Sequence, residues 1–150
     1  KVLDNPIASD ILDFRTNAFV AILLYLDLKV GEVGKLKFSN LVVNKLGEKY
    51  IVYFKGEDKW IVKFCPKSAR HLELYLERCI VENPESSLFQ RYTPSLSPTG
   101  RPLKVRSANK NVKRFCARNM IEIYSSRDIS KSRRYVSEDE YFKTLDGLNA

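Results

Sequence analysis

Residues 23 to 38 decide how the rest of the chain is arranged, and they read Leu23-Leu24-Tyr25-Leu26-Asp27-Leu28-Lys29-Val30-Gly31-Glu32-Val33-Gly34-Lys35-Leu36-Lys37-Phe38. An apolar helix runs into a polar break at Asp27, and a short second helix then begins, carries Glu32 and ends near Leu36. The pattern predicts a corner between two helices with Lys29 at the corner. Because Glu32 follows three residues later, we expect the Lys29 cation to be held at a fixed point rather than on a free surface.

The chain has 150 residues, of which 44% are hydrophobic. A chain of this length can bury roughly 70% of the surface that it exposes when unfolded, enough for one domain with its own core. The net charge of +8 favours an anionic partner, and nucleic acid is the leading candidate. The composition therefore predicts a single domain, residues 1–150, that binds an anionic macromolecule.

No apolar run is long enough to cross a bilayer, and no signal-peptide pattern opens the chain. We therefore expect an intracellular protein, cytoplasmic or nuclear, without a membrane partner. The chain begins with Lys1, and its one methionine is Met120. We expect it to be a fragment of a longer protein whose upstream domain and downstream tail are missing.

The three cysteines, Cys65, Cys79 and Cys116, are odd in number and widely spaced. With one histidine in the chain, this pattern favours neither a disulfide framework nor a zinc site. Each cysteine is interpreted as a buried apolar residue, and no metal or other cofactor is expected. His71 lies beside charged residues and is interpreted as a solvated side chain outside any site.

Helix signals recur along the first half of the chain. Asn5-Pro6 predicts the start of a first helix. Thr16-Asn17 predicts a restart, and the helix that follows is apolar almost all round as far as Leu26, as expected of a central core helix. A further helix begins at Pro66 and is stopped by Asn83-Pro84.

A small sheet is predicted between these helices. Two β-rich runs flank Lys55-Gly56-Glu57-Asp58-Lys59, which is typical of a hairpin with a glycine-containing turn. Leu41-Val42-Val43 is a candidate additional strand. The segment from Glu85 to Pro102, anchored by Leu88-Phe89, is rich in Ser, Pro, Thr and Gly and is interpreted as a long surface connection. The predicted fold class is therefore α+β, mostly helical, with a small antiparallel sheet.

A basic helix is predicted from Lys104, and a last helix from Ser137 to Leu145 or Leu148. The apolar face of the basic helix comprises Val105, Ala108, Val112 and Phe115, and its basic stripe comprises Arg106, Lys110, Arg114 and Arg118. Residues 101–134 hold eleven basic and two acidic side chains. Like charges four residues apart repel unless an anion lies near them, so this concentration favours a phosphate backbone as partner. A solvated basic face is the alternative.

The element order, with a helix corner, a hairpin, a helix, a connection and a basic helix, resembles the catalytic domain of tyrosine recombinases and phage-type integrases. In that family the corner carries Gly-Leu-Arg followed by Ser-Glu-Leu, and Lys29 stands here in place of the arginine. The family's hairpin lysine contacts DNA and acts as a general acid. Lys55, followed by Gly56, falls at that place, and an ordinary turn lysine is the alternative interpretation.

The family's second motif, His-x-x-Arg-His, falls on Arg127, Ser130 and Lys131, and none of the three matches. The two family arginines clamp the scissile phosphate because each guanidinium offers paired planar donors. Lys29 keeps the positive charge of the arginine but lacks its paired planar donors, and Ser130 lacks both the charge and the donors. The resemblance places the nucleophilic tyrosine beyond Ala150, and no residue of the chain is assigned a complete catalytic role.

The resemblance implies a catalytically inactive DNA-binding module that contacts the phosphate backbone of duplex DNA. The residues expected to contact DNA are Lys29, Lys55, Lys59, Arg106, Lys110, Lys113, Arg114, Arg118, Arg127, Lys131, Arg133 and Arg134. Two alternatives stay open: a divergent active recombinase or integrase with a downstream nucleophile, and a protein-interaction domain with a basic face. Self-association, or contact with other proteins, would use the missing segments.

Overall fold

A computed structural model of the chain describes residues 10–25, 28–64, 66–79, 81 and 83–119. These residues form α1 (Ile11–Tyr25), α2 (Val30–Gly34), β1 (Leu41–Val43), β2 (Lys49–Lys55), β3 (Asp58–Lys63), α3 (Pro66–Leu76), β4 (Gln90–Tyr92), β5 (Pro98–Pro102) and α4 (Val105–Arg118). The helix starting at Asn5-Pro6, Cys65 and the helix from Ser137 lie outside the described residues. None of the described helices is long and apolar enough to cross a membrane.

The first helix, α1, is continuous, and the expected restart at Thr16-Asn17 is wrong. The Thr16 hydroxyl donates to the carbonyl of Leu12 at 3.0 Å, so the residue read as a new cap bonds back into its own helix. The helix begins at Ile11 because the Asp10 carboxylate accepts the backbone N–H three residues on, at 3.1 Å. Ala18–Leu24 are all buried, which confirms the central core helix.

The predicted hairpin and the additional strand Leu41–Val43 are confirmed in one antiparallel sheet of order β1-β2-β3. Ile51 of β2 pairs with Val62 of β3, and both side chains are buried on the face that packs on the core. Gly56 has φ of 63°, the left-handed conformation that a two-residue hairpin loop needs at its first position. The glycine therefore fixes the register of the hairpin.

The segment from Glu85 to Pro102 is not a plain surface connection. It contains the two-stranded sheet of β4 and β5, and it buries Leu88 and Phe89 completely. The Phe89 ring meets Phe19 of α1 edge-on at a centroid distance of 5.1 Å and stacks on Tyr75 of α3 at 5.8 Å. The segment closes the core between α1 and α3.

Helix α3 begins at Pro66 as predicted but ends at Leu76, before the Asn83-Pro84 stop. The expectation that His71 is solvated is wrong, because the residue is buried beside the fully buried Leu72. Cys116 is fully buried as expected. Cys79 is half-buried, and its thiol lies 3.3 Å from the carbonyl oxygen of Tyr75.

Helix α4 buries Ala108, Val112 and Phe115, which confirms three of the four predicted apolar positions. The fourth prediction is wrong, because Val105 in the first turn is 48% exposed. The start of α4 lies beside α2, and its end reaches the first turn of α1. The helix α4 therefore runs antiparallel to α1.

We expect Phe89→Ala to lower the free energy of unfolding by about 3–5 kcal/mol, because it removes a buried ring that contacts two helices. Leu46→Ala is the control, since Leu46 is 84% exposed in the turn between β1 and β2 and its loss should change stability by less than about 0.5 kcal/mol. Urea unfolding measures both variants. Equal effects of the two substitutions would contradict the core described above.

Candidate nucleic-acid interface

Lys29 lies at the corner between α1 and α2, and it is exposed. The Glu32 carboxylate accepts the backbone N–H of Lys29 at 2.9 Å, which caps the first turn of α2. The expectation that Glu32 holds the Lys29 cation is therefore wrong, because the carboxylate binds the backbone instead. The position of the residue is fixed, while its ammonium group makes no ion pair with any described residue.

The corner packs against the start of α4. A β-carbon built on Gly31 would lie 3.9 Å from Cγ2 of Val105, and one on Gly34 would lie 3.5 Å from the carbonyl oxygen of Leu103. The residue that precedes α4 is Lys104, whose side chain has no acceptor and does not cap the helix. The positive end of the α4 dipole, Lys104 and Lys29 therefore share one region of the surface.

The outward face of α4 carries the basic stripe. Its exposed cations are Arg106, Lys110, Arg114 and Arg118 of the predicted stripe, together with Lys113 beside them. They lie opposite the buried face of the helix, as the sequence pattern predicts. Arg118 differs from the others, since its Nη1 lies 2.6 Å from Oδ1 of Asp13 in α1. One end of the predicted stripe is thus neutralised by a carboxylate of the protein itself.

The hairpin contributes Lys59, which is exposed and pairs across the strands with Phe54. Phe54 is 63% exposed, and it shares the outer face of the sheet with the exposed Ile61 and Val42. Lys55 ends β2 and pairs with Asp58 across the turn. The exposure of Phe54 was not predicted, although strand alternation from the buried Tyr53 could have indicated it.

The buried Tyr75 hydroxyl and the partly buried Tyr92 hydroxyl make hydrogen-bonding contacts inside the protein. The Tyr75 hydroxyl donates to the carbonyl of Leu88 at 2.7 Å and lies 3.2 Å from the Tyr92 hydroxyl. Burial raises the pKa of Tyr92 to about 12 and raises the pKa of Tyr75 further. Both tyrosines are therefore neutral at physiological pH, and their hydroxyls are engaged within the core.

Arg15 is a buried cation that the sequence analysis missed. It lies in α1, is 6% exposed, and donates from Nη1 to the carbonyl of Gln90 at 3.0 Å. Its guanidinium lies 5.7 Å from the centroid of the Tyr92 ring. Burial lowers the pKa of Arg15 from its ordinary value. No local signal could have found it, because its acceptor is 75 residues away in sequence.

The remaining predicted positions, Arg127, Ser130, Lys131, Arg133 and Arg134, lie outside the described residues. Among the residues that the structure describes, no group of three or more His, Cys, Asp or Glu side chains could hold a metal ion. Of the residues predicted to contact DNA, the structure thus places Lys29 near the start of α4, where the cations of that helix begin, and Lys59 on the hairpin.

The fold is similar to that of solved site-specific recombinases. XerH recombinase bound to the difH substrate in a pre-cleavage complex superposes with a TM-score of 0.63 and 15% identity over 94% of this chain and 40% of that one. A post-cleavage complex of XerH with palindromic difH superposes with a TM-score of 0.62 and 16% sequence identity, over 97% of this chain and 42% of that one. XerA recombinase superposes with a TM-score of 0.60 and 15% sequence identity, over 95% of this chain and 56% of that one.

The chain therefore spans roughly half or less of these recombinases. No family model matches it, and no curated protein sequence matches it. The similarity confirms the predicted fold: an α+β, mostly helical domain like the catalytic domain of tyrosine recombinases, with a small antiparallel sheet.

The Arg118–Asp13 ion pair should contribute modestly to stability. Because the Arg118 side chain is 42% exposed, we expect a coupling energy of about 0.5–1 kcal/mol in low salt, decreasing in 1 M salt. A double-mutant cycle with Asp13→Asn and Arg118→Gln, followed by urea unfolding, measures it. Zero coupling in low salt would contradict the pairing.

Proposed function

We propose that the domain binds duplex DNA through its phosphate backbone and does not cleave it. The observation that carries the proposal is the outward face of α4, on which Arg106, Lys110, Lys113 and Arg114 are exposed together. This face continues toward Lys104, which precedes α4, and toward the neighbouring corner between α1 and α2, which holds Lys29. Recombinases with a similar fold include XerH, which was solved with its difH substrate bound.

The spacing of these cations suits a phosphate backbone. Arg106 and Arg114 are eight residues apart, which is roughly 12 Å along a helix. Since duplex DNA carries one charge per about 1.7 Å of its axis, a helix of this length lies beside several phosphates. The two arginines offer paired donors to phosphate oxygens, and the lysines add point charges.

The proposal also includes Lys55 and Lys59 on the hairpin, Arg118 at the end of α4, and the basic positions Arg127, Lys131, Arg133 and Arg134. We expect Lys59 to reach the same duplex as α4. Arg118 contributes less than its neighbours, because binding DNA would require it to leave Asp13. Phosphate contacts carry no sequence information, so we expect little sequence preference.

The absence of cleavage is proposed from the substituted positions. Phosphoryl transfer of the kind that the resemblance implies requires paired planar donors on the scissile phosphate, and Lys29 supplies a single ammonium. Ser130 supplies no cation at all. The loss of one preorganised donor typically lowers the rate on the order of 100- to 1000-fold, so two such losses leave little activity.

A second candidate function is contact with another protein through the outer face of the three-stranded sheet. The observation that favours it is the exposure of Val42, Phe54 and Ile61 on that one face, since apolar side chains grouped on one surface are candidates for protein contact. DNA binding by the basic face and protein contact by the sheet are compatible. If the chain bound no DNA, the sheet would become the leading candidate surface.

The affinity for a duplex of arbitrary sequence should fall steeply with salt. We expect a log-log slope on the order of −4 or steeper if about five phosphates are neutralised. The double variant Arg106→Glu with Lys110→Glu should weaken binding at least tenfold and reduce the slope by about two, since it removes two contacts. Fluorescence anisotropy across a salt series measures both quantities.

The matched control is Arg70→Glu with Arg91→Glu, which makes the same change in net charge on α3 and β4. Both control residues are exposed and lie outside the proposed interface. A flat salt slope for the unaltered protein, or equal losses in the two double variants, would contradict a specific role for α4. Circular dichroism confirms that each variant remains folded.

A suicide duplex that traps covalent protein–DNA intermediates should give no adduct with the protein, because the clamp residues are substituted. The assay is read by denaturing gel electrophoresis, with an active site-specific recombinase on its own substrate as the positive control. An adduct that disappears when one tyrosine is changed to Phe would contradict the proposal. It would establish the alternative of a divergent active recombinase.

A further inference from the structure

A cavity of about 180 Å³ lies between α1 and α4, at the end of α4 opposite the Lys29 corner. Three arginines line it: Arg15 of α1, and Arg114 and Arg118 of α4. Asn111 adds an amide, and Asp13 lies in the same wall. The cavity therefore combines a buried cation with two cations at the protein surface.

Arg15 is the unusual member of this group. It forms no ion pair with any described residue, and its Nε is buried without a hydrogen-bond partner among them. One carbonyl, that of Gln90, accepts from its Nη1. A buried guanidinium without a countercharge is unfavourable, because burial removes water, and the Gln90 carbonyl and the face of the Tyr92 ring replace that water only in part. Within the part of the chain that the structure describes, Arg15 is thus a buried cation without an ion-pair partner.

Neither carboxylate of the cavity forms an ion pair with Arg15, although Asp10 interacts with it electrostatically at longer range. Asp13 is engaged by Arg118 at 2.6 Å. Asp10 is exposed, and its Oδ1 accepts the backbone N–H of Asp13 at 3.1 Å, where it caps α1. Among the described residues that line the cavity, Arg15 and Arg114 therefore remain as two cations against the capping carboxylate of Asp10, and this balance favours an incoming anion.

We propose that the cavity between α1 and α4 is a binding site for a small phosphate-type oxyanion, held by Arg15 and Arg114 with the Asn111 amide as a further donor. A tetrahedral oxyanion fits the volume and can accept from several donors at once. The phosphate comes either from solution or from a nucleic-acid end or backbone. The site is distinct from the outward face of α4 and shares only Arg114 with it.

Thermal unfolding in inorganic phosphate, compared with chloride at matched ionic strength, tests the site. We expect phosphate to raise Tm saturably, by about 3–6 °C at ten times its Kd. Asn111→Leu, which places an apolar side chain in the wall, and Arg114→Gln should each weaken phosphate binding at least fivefold. Arg70→Gln, with the same charge change on α3, should bind phosphate like the unaltered protein.

Equal shifts in phosphate and chloride would overturn the site, and so would equal phosphate binding by Asn111→Leu and the unaltered protein. Repeating the phosphate titration with saturating duplex distinguishes the two sources. If phosphate still raises Tm in the presence of duplex, the site binds free phosphate. If phosphate no longer raises Tm, the site is one that DNA occupies. Since the first titration contains no DNA, its result is independent of the proposed DNA-binding function.

Discussion

The helix α1 is buried on every side, and this constraint places the other elements. From Ala18 to Leu24 no residue is more than 8% exposed. A helix that is apolar all round needs neighbours on every side, and here α3, α4 and the segment that carries Phe89 supply them. Because α4 must cover one side of α1, its buried face is fixed, and its cations are directed away from the core.

The same packing separates two kinds of cation. Residues on the outward face of α4 keep their hydration and remain available to a polyanion in solution, where screening limits each contact to a modest energy. Arg15 points into the interior, where a charge interacts more strongly but has lost its water. Arg118 is intermediate, since it is partly exposed and bound to Asp13. Burial, rather than residue type, thus determines what each arginine can do.

Sequence patterns predicted the elements whose evidence is local. The hairpin follows from alternation around Gly56, and α4 follows from the apolar spacing that ends at Phe115. The errors occur where tertiary contacts override local signals. Thr16 looked like a cap but bonds within α1, and the segment around Phe89 has the composition of a loop yet closes the core. His71 was misjudged for the same reason, because charged neighbours in sequence do not report burial.

The candidate site was predictable to the extent that it is helical. The basic stripe on α4 can be predicted from the helical period of about 3.6 residues alone. The cavity cannot be, because it forms only where α1 and α4 pack together, and the burial of Arg15 depends on a hydrogen bond to a carbonyl on β4. The corner shows the same limit: the spacing of Lys29 and Glu32 indicated a fixed cation, but the carboxylate fixes the backbone.

A fold that persists at 15% identity is maintained by apolar positions, which tolerate exchange as long as volume and pattern are kept. Phosphate chemistry tolerates much less, because a lysine cannot reproduce the planar fork of an arginine. The core of this chain can therefore resemble that of a recombinase, while the proposed absence of cleavage rests on Lys29, which stands where the family resemblance expects an arginine. Fold similarity alone does not establish function, and the exposed cations of α4 are what favour DNA as partner. The contribution of these cations to DNA binding depends on their charge and exposure. Lys29 is also charged and exposed, so it can contribute in the same way.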